Sequence, residues 1–310
     1  MSALDSLVNS SVDYAGLFPP AMLPLDQVVK NYADYLNNNR RQMLGRLIIP
    51  ATRLDEFLMT ADRLDVWSTD EPKWRISALV PAIANEDGQL DDESLRIEMR
   101  RLSVINDNPH VVVDAIEVRS ESPETTRMIA NSVPSSIDAF IEFDWREDPA
   151  DNIQAIAALE RDHLFAKIRT GGVTADLIPS PAMVARFLLQ CAKHNVGVKA
   201  TAGLHHPLRG NYRLTYEADA DEATMHGFVN VFVAACLAYS KQITDESTLA
   251  SVLASEDASD FMLGEQQIGF GNYGVEDEVV GQLRSHKIIS FGSCSFEEPS
   301  VEIESALQID

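Results

Sequence analysis

The chain has 310 residues, 45% of them hydrophobic and 24% charged, an ordinary globular composition that sets disorder aside. Its formal net charge of −23 repels phosphate backbones and anionic lipid, so neither nucleic acid nor a membrane surface is an expected partner. A small anionic substrate would need a few local cations to overcome that field.

The opening stretch MSALDSLVNSSVDYAG has neither the basic n-region nor the long apolar core of a secretory signal. The closest approach to a membrane span, residues 225–239, falls short of the roughly 18 residues required and reads as a buried helix or a subunit interface. Cys191, Cys236 and Cys294 form no metal-like pair and no disulfide framework, so a cytoplasmic protein is expected.

In chain order, β-rich apolar runs predict strands over 11–16, 46–51, 75–82, 114–119, 138–143, 164–170, 197–203 and 288–293. Near-continuous apolar content, rather than alternation, suits parallel strands covered on both faces. Helical patterns lie between them. Residues 24–39 and 91–107 each carry an acidic residue near the N-terminus, as capping and the helix dipole favour, and 180–195 carries apolar residues at helical spacing. Eight strands alternating with helices predict an α/β fold, a single (β/α)8 TIM barrel over 1–310, with an open doubly wound sheet as the alternative. The interval 204–287 breaks the rhythm. It predicts a helical insertion, with helices over 221–241, 246–255 and 276–286 and a Gly-rich turn, GFGNYG, at 269–274. Insertions in barrels enter the loops that form active sites, so this one reads as a lid or specificity element, or else as an oligomer contact or an extra packed layer.

Two lysines stand where buried strands are expected: Lys167 in HLFAKIRTGG and Lys199 in VGVKATAGLHHPLR. In a barrel, C-terminal strand ends face the active-site mouth, and adjacent strands lie about 4.8 Å apart. Two ammonium groups there would repel each other and lose solvation. Both effects lower a lysine pKa and prepare an amine to attack a carbonyl and form a Schiff base. The structural alternative has either lysine pointing outward or pairing with a carboxylate such as Glu142 or Glu117.

Ordered segments of the chain resemble the class I, Schiff-base deoxyribose-phosphate aldolases. SSVDYAGLFPPAMLPLDQVV is similar to that family's Ile-Asp-His-Thr-x-Leu-x-Pro opening, with Asp13 as the matching aspartate, and IDAFIEF is similar to its fifth-strand Lys-Val-Ile-Ile-Glu. LFAKIRTGG resembles Phe-Ile-Lys-Thr-Ser-Thr-Gly, GVKATAGL resembles Gly-Val-Lys-Ala-Ser-Gly-Gly, and SFGSCSFEE resembles the closing Arg-x-Gly-x-Ser segment. The resemblance implies a carbon–carbon lyase without a cofactor. Lys167 would form the imine and Lys199 would depress its pKa. The proton-relay acid would fall on Glu117 or Asp114, with Glu117 preferred, and Asp13 would complete the catalytic set. The chain departs from the family after Lys199, where AGLHHPLR keeps Gly203 alone of the phosphate-binding glycine pair, and the 204–287 interval has no family counterpart. Another oxo acid or sugar derivative is therefore the expected substrate, in place of deoxyribose 5-phosphate.

Around this centre, Arg169, two residues beyond Lys167 and on the same side of the strand, is a candidate anion clamp. His205, His206 and Arg209 follow the seventh strand, with Arg209 the bidentate partner for a carboxylate or phosphate. Gly292 and Ser293 can present backbone amides to an anion. Tyr14 or Phe18 can close on the ligand, and Cys294 reads as a packed thiol with no base beside it. Two rival readings stand beside the aldolase one. Glu117, Glu142 and His205 can hold a divalent ion in a metal-dependent isomerase or aldolase, although no metal is expected from their spacing. The other rival is a non-catalytic barrel serving as a binding or assembly subunit. No Walker loop is present and a nucleotide cofactor is not expected, and a homo-oligomer is left open.

Overall fold

Short β-branched runs pair in parallel and curl until the last meets the first. The computed structural model describes residues 2–68, 72–81 and 91–306. Its first seven strands are β1 (Val12–Tyr14), β2 (Leu44–Pro50), β3 (Trp74–Leu79), β4 (Val111–Arg119), β5 (Asp138–Glu142), β6 (Leu164–Arg169) and β7 (Gly197–Thr201). Two antiparallel pieces follow, the hairpin β8 (Gly210–Arg213) with β9 (Glu222–Met225) and the sheet β10 (Phe261–Leu263), β11 (Gln267–Phe270) and β12 (Tyr273–Glu276). Strand β13 (Ile288–Ser293) then enters between β7 and β1 and pairs in parallel with both, so the eight-stranded sheet is closed and the open-sheet alternative is ruled out. The third predicted strand ends at Ala82, which lies outside the described residues; β3 itself stops at Leu79.

Helices α1 (Ala3–Val8), α2 (Leu25–Leu36), α3 (Leu54–Leu64), α4 (Asp92–Ile105), α5 (Pro123–Ser132), α6 (Ala150–Ala157) and α7 (Pro181–Lys193) come before the interval. Helices α8 (Phe228–Tyr239), α9 (Glu246–Ala254) and α10 (Asp277–His286) lie within it, and α11 (Glu297–Ala306) follows β13. Their starts are written locally. Asp91, Ser122 and Ser180 each accept a hydrogen bond from a backbone amide three residues on, and proline opens both α5 and α7 where its missing N–H costs nothing. Each amphipathic helix lays its apolar stripe on the barrel, which leaves strand runs such as Leu47, Ile48 and Ile49 buried on both faces.

The interval 204–287 is mixed rather than helical. The helix expected over 221–241 begins only at Phe228, because Glu222–Met225 pairs antiparallel with Gly210–Arg213 and satisfies its backbone there. The GFGNYG segment is the tip of the β11–β12 hairpin. Helix α8 is buried around its whole circumference. It packs against α7, α9 and β11–β13, so its apolar surface is used within the chain rather than at a subunit interface. Among the described residues no helix is long and apolar enough to cross a membrane.

Gly45 shows how tightly the closing seam is built. A Cβ there would lie 2.3 Å from Asp13 Oδ1 and 3.2 Å from the Val12 carbonyl oxygen. Gly45→Ala is expected to lower stability by about 1–3 kcal/mol through overpacking. Urea denaturation checks this, and an unchanged midpoint would mean that Asp13 moves aside freely.

Candidate active site

Parallel pairing sets the charges side by side. Lys167 on β6 is the register partner of Lys199 on β7 and of Glu142 on β5. Glu117 comes from β4, and Asp13 from β1 reaches in from the far side of β13. The result is a chain of alternating charge across the C-terminal end of the barrel. Lys167 Nζ lies 2.8 Å from Glu142 Oε2 and 2.5 Å from Glu117 Oε2. Lys199 Nζ donates at 2.7 Å to the other Glu117 oxygen and also to Asp13 Oδ2. Ser77 Oγ donates to Glu117 at 3.0 Å. Ser290 Oγ and the Arg46 backbone amide donate to Asp13, each at 2.6 Å. The Phe140 ring forms the floor, with its centroid 4.7 Å from Lys199 Nζ.

Burial is nearly complete: side-chain exposure is 4% for Lys167, 2% for Glu117 and 0% for Lys199. Burial alone would raise the Glu117 pKa, but the Lys167 and Lys199 ammonium groups outweigh it and hold the carboxyl well below the usual range. Burial would likewise depress Lys167, yet Glu117 and Glu142 overcome it and raise the amine above its ordinary value. The expectation that one lysine depresses the other is corrected here. The Glu117 carboxylate stands between the two amines, 2.5 Å from Lys167 Nζ and 2.7 Å from Lys199 Nζ.

A cavity of about 660 Å³ opens over this chain of charges, lined in part by Glu117, Glu142 and Lys167. Lys199 and Asp13 sit behind Glu117, beyond its wall. Arg169 and Gly292 line the cavity; Ser293 does not, and its hydroxyl lies 3.5 Å from His205 Nδ1. Asp114, the alternative relay acid, is held at the opposite end of the barrel by Arg46 and Arg75, each at 2.7 Å, beside the larger concavity of about 1300 Å³ there. Arg209 is not brought to the cavity. It lies in a shallower pocket with Glu256 and Asp257, and its Nε is 3.8 Å from Glu256. Of the two aromatic closers, Phe18 lines the cavity, whereas Tyr14 is fully buried and hydrogen-bonded by Asn31.

His205 and His206 reach the cavity wall already engaged. Glu298 lies 3.0 Å from His205 Nδ1, and Glu302 lies 2.6 Å from His206 Nδ1. Tyr216 Oη donates to Glu298 at 3.1 Å, and the His206 ring stacks on Tyr212 with centroids 3.6 Å apart. These contacts tie the loops around the β8–β9 hairpin to α11. Sequence reasoning missed Tyr212, Arg213, Tyr216 and Glu298; the alternation in GNYR was the available signal for the hairpin that brings the first two to the mouth. It also left Cys294 without a base, whereas the fold places its Sγ 3.8 Å from His205 Nδ1. The three residues of the metal alternative are otherwise engaged: Glu117 and Glu142 hold Lys167, and His205 is held by Glu298. Among the described residues no group of three or more His, Cys, Asp or Glu is arranged to bind a metal. No family model matches the chain, and no curated protein matches it.

Two outcomes follow from these charges. Removing Lys199 takes from Asp13 its ion-pair partner and from Glu117 one of two. Lys199→Met is therefore expected to cost about 3–5 kcal/mol in urea denaturation, and a loss below 1 kcal/mol would show that water reaches both carboxylates. Burial works against a charged His205, but hydrogen bonds with Cys294 and Glu298 push its imidazole up from 6.5 to about 10. The folded state thus holds that proton more tightly than the unfolded chain. The stabilisation is complete below pH 6.5 and is lost as pH rises toward 10. His205→Gln should flatten this part of the stability–pH curve.

Proposed function

We propose that the chain is a class I carbon–carbon lyase that works through an imine on Lys167. The observation that carries this reading is the buried order Glu142–Lys167–Glu117–Lys199–Asp13, with Lys167 at the floor of an open cavity. The resemblance of the segments around Lys167 and Lys199 to the deoxyribose-phosphate aldolases supports the same chemistry.

At rest Lys167 is an ammonium. A substrate carbonyl docking over Nζ displaces Glu142 as its partner, and the ammonium passes a proton to Glu117, 2.5 Å away. The free amine adds to the carbonyl carbon, the resulting oxygen takes up the proton, and water leaves as the imine forms. The iminium then accepts the electron pair released by carbon–carbon cleavage, while the hydroxyl on the departing carbon becomes a carbonyl and passes its proton through water to Glu117. Glu117 returns a proton to the enamine carbon through a water molecule, and hydrolysis frees Lys167. Lys199 and Asp13 touch no reacting atom; they fix the position and charge of Glu117.

Borohydride reduction with a panel of aldehydes and oxo acids is expected to leave a mass adduct on Lys167 and none in Lys167→Leu. An unmodified protein with every carbonyl tried would sink the proposal. Because the amine must shed a proton it holds more firmly than an ordinary lysine does, trapping should rise with pH through the neutral and mildly alkaline range. Glu117→Gln removes one anion from Lys167 and also removes the relay. Cleavage turnover should fall about 100-fold or more, and further than trapping does, because the weaker hold on the Lys167 proton offsets the lost acceptor in imine formation alone; turnover unchanged by the substitution would remove Glu117 from the relay.

A further inference from the structure

The chain carries 48 acidic residues against 25 lysines and arginines, yet the cavity wall reverses that balance with four Lys or Arg against three Glu. The three glutamates are engaged: Glu117 and Glu142 with Lys167, and Glu298 with His205 and Tyr216. Of the wall arginines, Arg119 is loosely held by Asp144 at 3.6 Å, whereas Arg169 and Arg213 form no ion pair with any described residue. The neighbour opposite Arg213 in the hairpin, Glu222, is occupied by Asn211 Nδ2 at 2.7 Å. Most arginines of this acidic chain find a carboxylate, and these two are left facing one cavity from opposite elements, the end of β6 and the end of β8.

Resting on the imine reading above, we propose that Arg169 and Arg213 form the anion subsite of this cavity and select carbonyl substrates that carry a carboxylate or phosphate at the far end. Arg169 stands two strand residues beyond Lys167, about 6.6 Å toward the mouth. That is roughly the reach of four to five single bonds at about 1.5 Å each. The anion is therefore remote from the reacting carbon rather than adjacent to it, and a planar fork on each side suits either oxyanion. Arg213 replaces Arg209 as the cation that the interval contributes.

The test compares borohydride trapping of 5-oxopentanoate, glyceraldehyde 3-phosphate and uncharged pentanal on the full chain at low salt. At least one anionic aldehyde should half-saturate at a concentration tenfold or more below pentanal, and the favoured one tells carboxylate from phosphate. Arg213→Gln and Arg169→Gln should each shrink that preference about tenfold. Arg41→Gln, an exposed arginine outside the cavity, should leave it intact. No preference in the parent protein, or a preference that survives both substitutions, overturns the subsite. Calorimetric titration with glutarate and with inorganic phosphate reads the same subsite without imine chemistry. Binding weakened tenfold in Arg213→Gln upholds it even if no aldehyde is trapped, and no binding of either anion to the parent protein rejects it.

Discussion

Glu117 is the residue on which the arrangement depends. Two ammonium groups in a barrel core are tolerable only if their desolvation cost is met by anions at contact distance, and Glu117 gives one oxygen to each. Asp13 and Glu142 complete the alternation at its ends. Every strand that contributes a charge must therefore hold its register to one residue, since a single slip turns that side chain to the opposite face of the sheet. The hydrogen bonds from Ser77 and Ser290 and the close packing of Gly45 against Asp13 serve the same purpose on the side away from the cavity.

The two ends of the barrel divide the labour. At the N-terminal end, Arg46 is saturated by Asp114 and Asp138, and its guanidinium also lies 5.5 Å from the Phe140 centroid. That cluster caps the bottom of the barrel beside the larger concavity. At the C-terminal end one lysine meets an open cavity, and arginines without carboxylate partners stand around it. The hairpin that supplies Arg213 is anchored to α11 through the flanking His205–Glu298, His206–Glu302 and Tyr216–Glu298 contacts, so the cavity wall is built from segments far apart in sequence.

The architecture was legible because parallel strands buried on both faces leave an unmistakable apolar run, and because Asp91, Ser122 and Ser180 mark helix starts by side-chain chemistry alone. Closure was an inference from strand number. Only the pairing of β13 with both β7 and β1 establishes it. Residues 222–225 were misread as helix because a four-residue strand is decided by its hairpin partner rather than by its own pattern. Lys167 and Lys199 stand out as charges inside apolar runs, whereas Asp13 and the relay role of Glu117 come only from the resemblance to the aldolase segments. Their electrostatics were not found, because the sign of a lysine's shift depends on which carboxylates arrive from other strands. Arg209 and Arg213 lie four residues apart, one just before β8 and the other at its end, and which of them faces the cavity is set by the hairpin's geometry, which composition does not encode.

The place of the charges also bears on how the barrel is sealed. Ile288–Ser293 is the stave that joins β1 to β7. Those are the strands that carry Asp13 and Lys199. An inward-pointing charge on a strand margin disfavours pairing with any foreign strand that cannot neutralise it. The final stave then seals the two charges against each other.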